Sequence, residues 1–149
     1  MTAHEASITL YINTKLKKTF EPQKKSIKMS LDFKESSTDG QSEFLIRNEL
    51  APIVQLVLKK RDGKSYFSNM DADGTRTEYA ESEVGQWHHL ELNLDVEKCR
   101  YDVFLDGKRV ISGMETREFT SDVNMCAIYC DGTSLHSPKS RRPLPEFQR

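Results

Sequence analysis

No apolar run in this sequence approaches the roughly 20 residues that a membrane-spanning helix requires. The opening residues, Met1 to Ala6, include His4 and Glu5 and lead into a polar strand pattern, so neither a signal peptide nor an anchor is expected there. An excess of charge of one sign is also missing. The 22 basic and 23 acidic side chains leave a formal net charge of −1. A protein that grips nucleic acid or anionic lipid by electrostatics is far more basic, so neither partner is expected. Glycine-rich phosphate loops are lacking, and no serine sits between the glycines of a nucleophile elbow. These absences argue against nucleotide binding and against Ser-based hydrolysis.

Cysteine is scarce, and its spacing argues against zinc. Cys99, Cys126 and Cys130 form no C-x₂-C pair. An odd count leaves at least one thiol unpaired or bridged to another chain. Residues four apart on a strand lie roughly 13 Å apart, beyond the about 7 Å between Cα atoms that a disulfide tolerates. Cys126 and Cys130 therefore cannot join if that segment is extended, whereas Cys99 with either stays open. The expectation is free thiols acting as small buried hydrophobes.

What the chain does have is enough length and apolar content for one domain: 149 residues, 36% hydrophobic, with seven phenylalanines, five tyrosines and one tryptophan. The dominant hydrophobic period is two. Ile8, Leu10 and Ile12 alternate with polar residues, as do Ile27, Met29, Leu31 and Phe33. Short apolar runs follow at residues 43–47 and 53–59, and strand-like segments at 64–68 and 75–79. His88, Leu90, Leu92 and Leu94 share one face of a further segment, and Tyr101, Val103 and Leu105 one face of the next. Residues 109–112 and 122–130 bring the count to about ten strands. Asp62-Gly63, Asp73-Gly74, Asp106-Gly107 and Asp131-Gly132, with Thr38-Asp39-Gly40, supply turn residues that tolerate positive φ. This rhythm predicts an all-β fold, an antiparallel sandwich or barrel of about ten strands, spanning residues 1–132. Residues 15–28, with six lysines and Pro22, read as a solvated loop. Residues 133–149, with three prolines and three arginines, read as a flexible or docked tail.

The stretch Gly85-Gln86-Trp87-His88-His89-Leu90-Glu91-Leu92, followed by Tyr101-Asp102-Val103-Phe104-Leu105-Asp106-Gly107-Lys108, resembles the concanavalin A-like lectin/glucanase superfamily, including its laminin G-like jelly rolls. In that superfamily a Gly-x-Trp-His segment starts a central strand, and a Tyr-x-Val-x-Leu-Asp-Gly-Lys hairpin follows. The resemblance implies a two-sheet antiparallel jelly-roll sandwich, glycan or polysaccharide partners, and a secreted or cell-surface location.

Three chemistries can be set against the residues. Glycosidases of this fold place acids at alternate positions of one strand, and a retaining pair needs carboxylates about 5–5.5 Å apart. Glu91, Asp95 and Glu97 keep that period, but Asn93 stands where a middle acid belongs. Glu91 is thus the single catalytic candidate, and the same alternation is what any solvated sheet face shows. Asn69-x-Asp71-x-Asp73-Gly74 resembles the first half of a calcium loop. Its twelfth position, which should carry a bidentate glutamate, is Ala80. The alternative is a polar hairpin. Trp87 suits either packing at a strand start or a sugar-stacking platform.

The reading that results is a non-catalytic β-sandwich binding module for carbohydrate, with Tyr66, Tyr79, Trp87, His89 and Glu91 as contact residues on neighbouring strands. A glycoside hydrolase or polysaccharide lyase of the same fold is the first alternative, and a protein-interaction module the second.

Overall fold

The computed structural model describes residues 7–10, 14–35, 40–130, 133–136 and 146–148. Thirteen strands form two antiparallel sheets, and no helix occurs among the described residues. The strands are β1 (Ser7–Leu10), β2 (Thr14–Gln23), β3 (Ser26–Glu35), β4 (Gln41–Arg47), β5 (Pro52–Arg61), β6 (Lys64–Met70) and β7 (Arg76–Glu83), then β8 (His88–Asp95), β9 (Arg100–Leu105), β10 (Lys108–Glu115), β11 (Val123–Cys130), β12 (Thr133–His136) and β13 (Glu146–Gln148). One sheet runs β1-β12-β3-β8-β9-β10, with β13 also paired to β3; the other runs β2-β11-β4-β5-β6-β7.

The core lies between the sheets because each strand turns its alternate apolar side chains inward. Met29, Leu31, Phe33, Leu90 and Val103 from the first sheet meet Phe44, Ile46, Leu56, Leu58 and Ile128 from the second, all fully buried. Leu90, Leu92, Leu94, Val103 and Leu105 all face the interior, as their alternation predicts. His88 lies on the same buried face, its ring 5.6 Å from that of Phe33. Asp62-Gly63 and Asp106-Gly107 both adopt positive φ at the two central turn positions, the conformation that tight hairpins demand. The turns at Asp39 and at Asp131-Gly132 lie outside the described residues.

Two segments depart from their sequence reading. Much of residues 15–28 is strand, not loop: β2 pairs along β11 at the edge of the second sheet. Leu16 and Phe20 pack on the core while Lys17 and Lys18 stay exposed, the arrangement by which an edge strand avoids pairing with another chain. Pro22 is tolerated because the β2–β11 register shifts between Gln23 and Thr19. The segment after residue 132 supplies β12 and β13, which pair with successive halves of β3. Cys99 and Cys126 are free and buried. Cys126 lies on β11, and the Cys130 side chain lies outside the described residues.

Candidate functional site

The outer face of the seven-stranded sheet is built by the residues that alternate with the core. Lys28, Ser30, Asp32 and Lys34 come from β3, His89, Glu91, Asn93 and Asp95 from β8, and Asp102 and Phe104 from β9. The register sets Asp32 opposite His89, Ser30 opposite Glu91 and Lys28 opposite Asn93. On the other side of β8, Glu91 faces Phe104 and Asn93 faces Asp102.

Polar contacts hold this row in place. His89 donates Nδ1–H to Asp32 Oδ1 at 2.7 Å, because a carboxylate can only accept. Its Nε2 lies 3.4 Å from Ser30 Oγ. Lys28 Nζ meets Glu91 Oε1 at 2.7 Å. Trp87, just before β8, is 45% exposed, with Lys34 Nζ 5.2 Å from its ring centroid. Beyond Asn93 the face opens into a groove of about 470 Å³ lined in part by Lys28, Asn93, Asp95, Arg100 and Asp102. The arrangement offers an aromatic ring, then fixed donors and acceptors at strand spacing, then a shallow polar trough.

Ser30, His89 and Asp32 follow the order of a hydrolytic triad, but the surroundings do not supply the rest of one. The backbone around Ser30 is paired with β8 on one side and β13 on the other. Its amides are spent in ladder bonds, so among the described residues no backbone oxyanion donors converge on the serine. Glu91, the acid singled out from sequence, holds Lys28 and faces Ser30 and Phe104, so no second carboxylate stands opposite it in the register.

The sequence-derived contact residues divide between the two sheets. Trp87, His89 and Glu91 belong together on the first sheet. Tyr66 lies on β6 of the second, on its outer face, with the Arg61 guanidinium 3.8 Å from its ring centroid. That guanidinium is also forked onto Glu78 at 3.0 and 3.1 Å. Tyr79 lies on β7 and packs against the core, where burial and the nearby Asp71 push its phenol above the usual range. Tyr66 and Tyr79 therefore cannot share a ligand with Trp87. Asp32, Ser30, Asn93 and Phe104 were not singled out from the sequence. Alternation places them outward, but nothing local reveals that β3 and β8 are partners, since Asp32 and His89 lie 57 positions apart.

The loop at residues 69–74 is organised as a turn. Asn69 is buried and donates Nδ2–H to Asp71 Oδ1 at 3.3 Å. Asp73 Oδ1 accepts the Thr75 amide at 2.9 Å, and the Gly74 amide donates to the Asp71 carbonyl at 2.9 Å. Glu78 and Glu81, the nearby acids, bind Arg61 and Lys64. Among the described residues no three His, Cys, Asp or Glu side chains converge to hold a metal ion.

No protein-family model matches the chain, and no curated protein matches it in sequence. Solved structures do match its shape. A sialidase superimposes with a TM-score of 0.73 at 13% identity, over 97% of this chain and 15% of the sialidase. Galectin LEC-6 of Caenorhabditis elegans gives 0.63 at 12% identity, over 96% of each chain. The carbohydrate-binding module CBM66 from Bacillus subtilis gives 0.52 at 14%, over 92% of this chain and 81% of the module. The chain has the two-sheet jelly-roll fold that these structures share. Identities this low establish the jelly roll and leave the ligand to the chemistry of its faces. Within it, the Asp106-Gly107 hairpin also fixes the start of β8: Asp106 accepts from the His89 amide and from His88 Nδ1 at 2.8 and 2.7 Å.

Proposed function

We propose that this jelly roll is a non-catalytic carbohydrate-binding module that seats a glycan on the outer face of its seven-stranded sheet. The observation that carries the reading is the aligned row formed by Trp87, His89 with Asp32, and Glu91 with Lys28, leading into the polar groove. A pyranose has an apolar face and a rim of hydroxyls, and a half-exposed indole beside pre-oriented acceptors complements both. Shape similarity to a galectin and to a carbohydrate-binding module supports the same assignment. Action outside the cell or at its surface goes with this proposal.

A glycan-array screen of the purified chain, with calcium and with chelator, tests it. Binding should appear at millimolar affinity or better and fall on His89→Ala and on Glu91→Gln, with the fold intact. Loss in chelator, reproduced by Asp71→Asn, would add calcium as a cofactor. Silence across the array would favour a protein-interaction module instead. Polysaccharide turnover that disappears in Glu91→Gln would replace the module with an enzyme.

A further inference from the structure

Two of the most exposed large apolar side chains in the described structure stand at one end of the sandwich, on different loops. Leu50, between β4 and β5, is 90% exposed, and Phe119, between β10 and β11, is 94% exposed. They border one groove of about 400 Å³. Neither loop is slack. Asn48 Oδ1 accepts the amides of Leu50 and Ala51, both at 2.8 Å, while its Nδ2 donates to Thr120 Oγ1 at 3.0 Å, tying the loops together. Thr120 Oγ1 in turn accepts the Asp122 amide at 3.2 Å and donates to the Asp122 carbonyl. The two apolar tips are thus held apart by a hydrogen-bonded frame, with the groove between them.

The groove between these apolar walls is acidic. Glu49 and Asp122 line it, and among the described residues no lysine or arginine does. Among the described residues neither carboxylate has a cationic partner. Asn124, also in the lining, keeps a buried Oδ1 with no donor. An acceptor removed from water and left unpaired is costly, and this one lies beneath the groove lining rather than in its opening. Arg47 turns its Nε to the Asn48 carbonyl at 3.1 Å and is not among the lining residues.

We infer that this end of the sandwich is a docking site for an arginine side chain presented by a partner protein. A guanidinium is planar, weakly hydrated and carries five donors. Its methylene stem fits against Leu50, its face stacks on Phe119, and its N–H groups reach the Asp122 and Glu49 carboxylates. The site is separate from the sheet face assigned to glycan, and binding at either can be lost without the other.

An NMR titration of the ¹⁵N-labelled chain with acetyl-Gly-Arg-Gly-amide tests the inference. The citrulline peptide, equal in shape but uncharged, and the glutamate peptide serve as controls. Shifts should centre on Leu50, Phe119 and the Asn124 side-chain amide. Affinity should drop at least tenfold with citrulline, with Phe119→Ala and with Asp122→Asn. Both substitutions are at the surface or rim, and an unchanged melting temperature would confirm that folding is intact. Equal binding of the citrulline peptide, shifts scattered over other acidic surfaces, or unaltered affinity in both variants would overturn it.

Discussion

Lys60 Nζ lies 3.0 Å from Glu35 Oε2, and their side chains are 0% and 1% exposed. The pair joins β5 of one sheet to β3 of the other, with Ser42 Oγ donating to the same carboxylate oxygen at 3.3 Å. Such a pair contributes little net stability over an apolar replacement, yet removing one member strands a buried charge. Lys60→Met alone should therefore destabilise by about 3–5 kcal/mol, read from urea midpoints. Lys60→Met combined with Glu35→Leu should recover most of that loss. A double variant as unstable as the single one would mean that the pair is not an isolated unit.

The core makes a simpler demand. Leu92 is 1% exposed and packs at the centre of β8. Leu92→Ala should cost about 2–5 kcal/mol, the range for a buried leucine whose cavity does not collapse. A melting temperature within error of the parent would show that β8 is inverted in solution, with Glu91 and Asn93 inward.

The split between the sheets separates two aromatic residues that sequence alone had placed together. Tyr79 packs against the core from β7, whereas Trp87 stands half exposed beside β8. Tyr79→Ala should lower stability and leave glycan affinity unchanged. Trp87→Ala should weaken binding by about 2 kcal/mol, roughly 30-fold. Calorimetric titration with a glycan found in the screen decides the matter. The reverse pattern, with affinity lost only in Tyr79→Ala, would move the site to the other sheet.

What could be read from the sequence follows from the range of each signal. Alternation is local, so the sequence by itself assigns Leu90, Leu92, Leu94 and Val103 to the interior and Asp106-Gly107 to a tight turn. Strand pairing is not local. The partnership of β3 with β8, which brings Asp32 to His89, leaves no trace within either strand. For the same reason Tyr66 and Tyr79 could be grouped with Trp87 although β6 and β7 belong to the opposite sheet. β2 was hidden by its own negative signals. Lysines and a proline mark loops in general, but they also suit an edge strand, and only the pairing with β11 distinguishes the two.

Burial also sets how the fold responds to alkali. Cys126, inside β11, has its thiol pushed up to about 12 by desolvation, from an ordinary value near 9. Burial raises the Tyr101 phenol as well, although Asn69 donates to its hydroxyl at 3.5 Å. Between the ordinary and the raised values the unfolded chain releases these protons while the folded chain retains them. The unfolded state then binds fewer protons, so stability falls as pH rises above about 9 and continues to fall toward 12. Urea midpoints measured from pH 8 to pH 11 should decline, and less steeply in Cys126→Ala and in Tyr101→Phe than in the parent. At pH 8 the native Cys126 thiol should also resist iodoacetamide, as mass spectrometry of the labelled peptide would show, because too little thiolate forms and it has no path to solvent. Parent and variant slopes that coincide, together with rapid labelling at Cys126, would mean that β11 opens far more readily than its fully buried neighbours Ala127 and Ile128 imply.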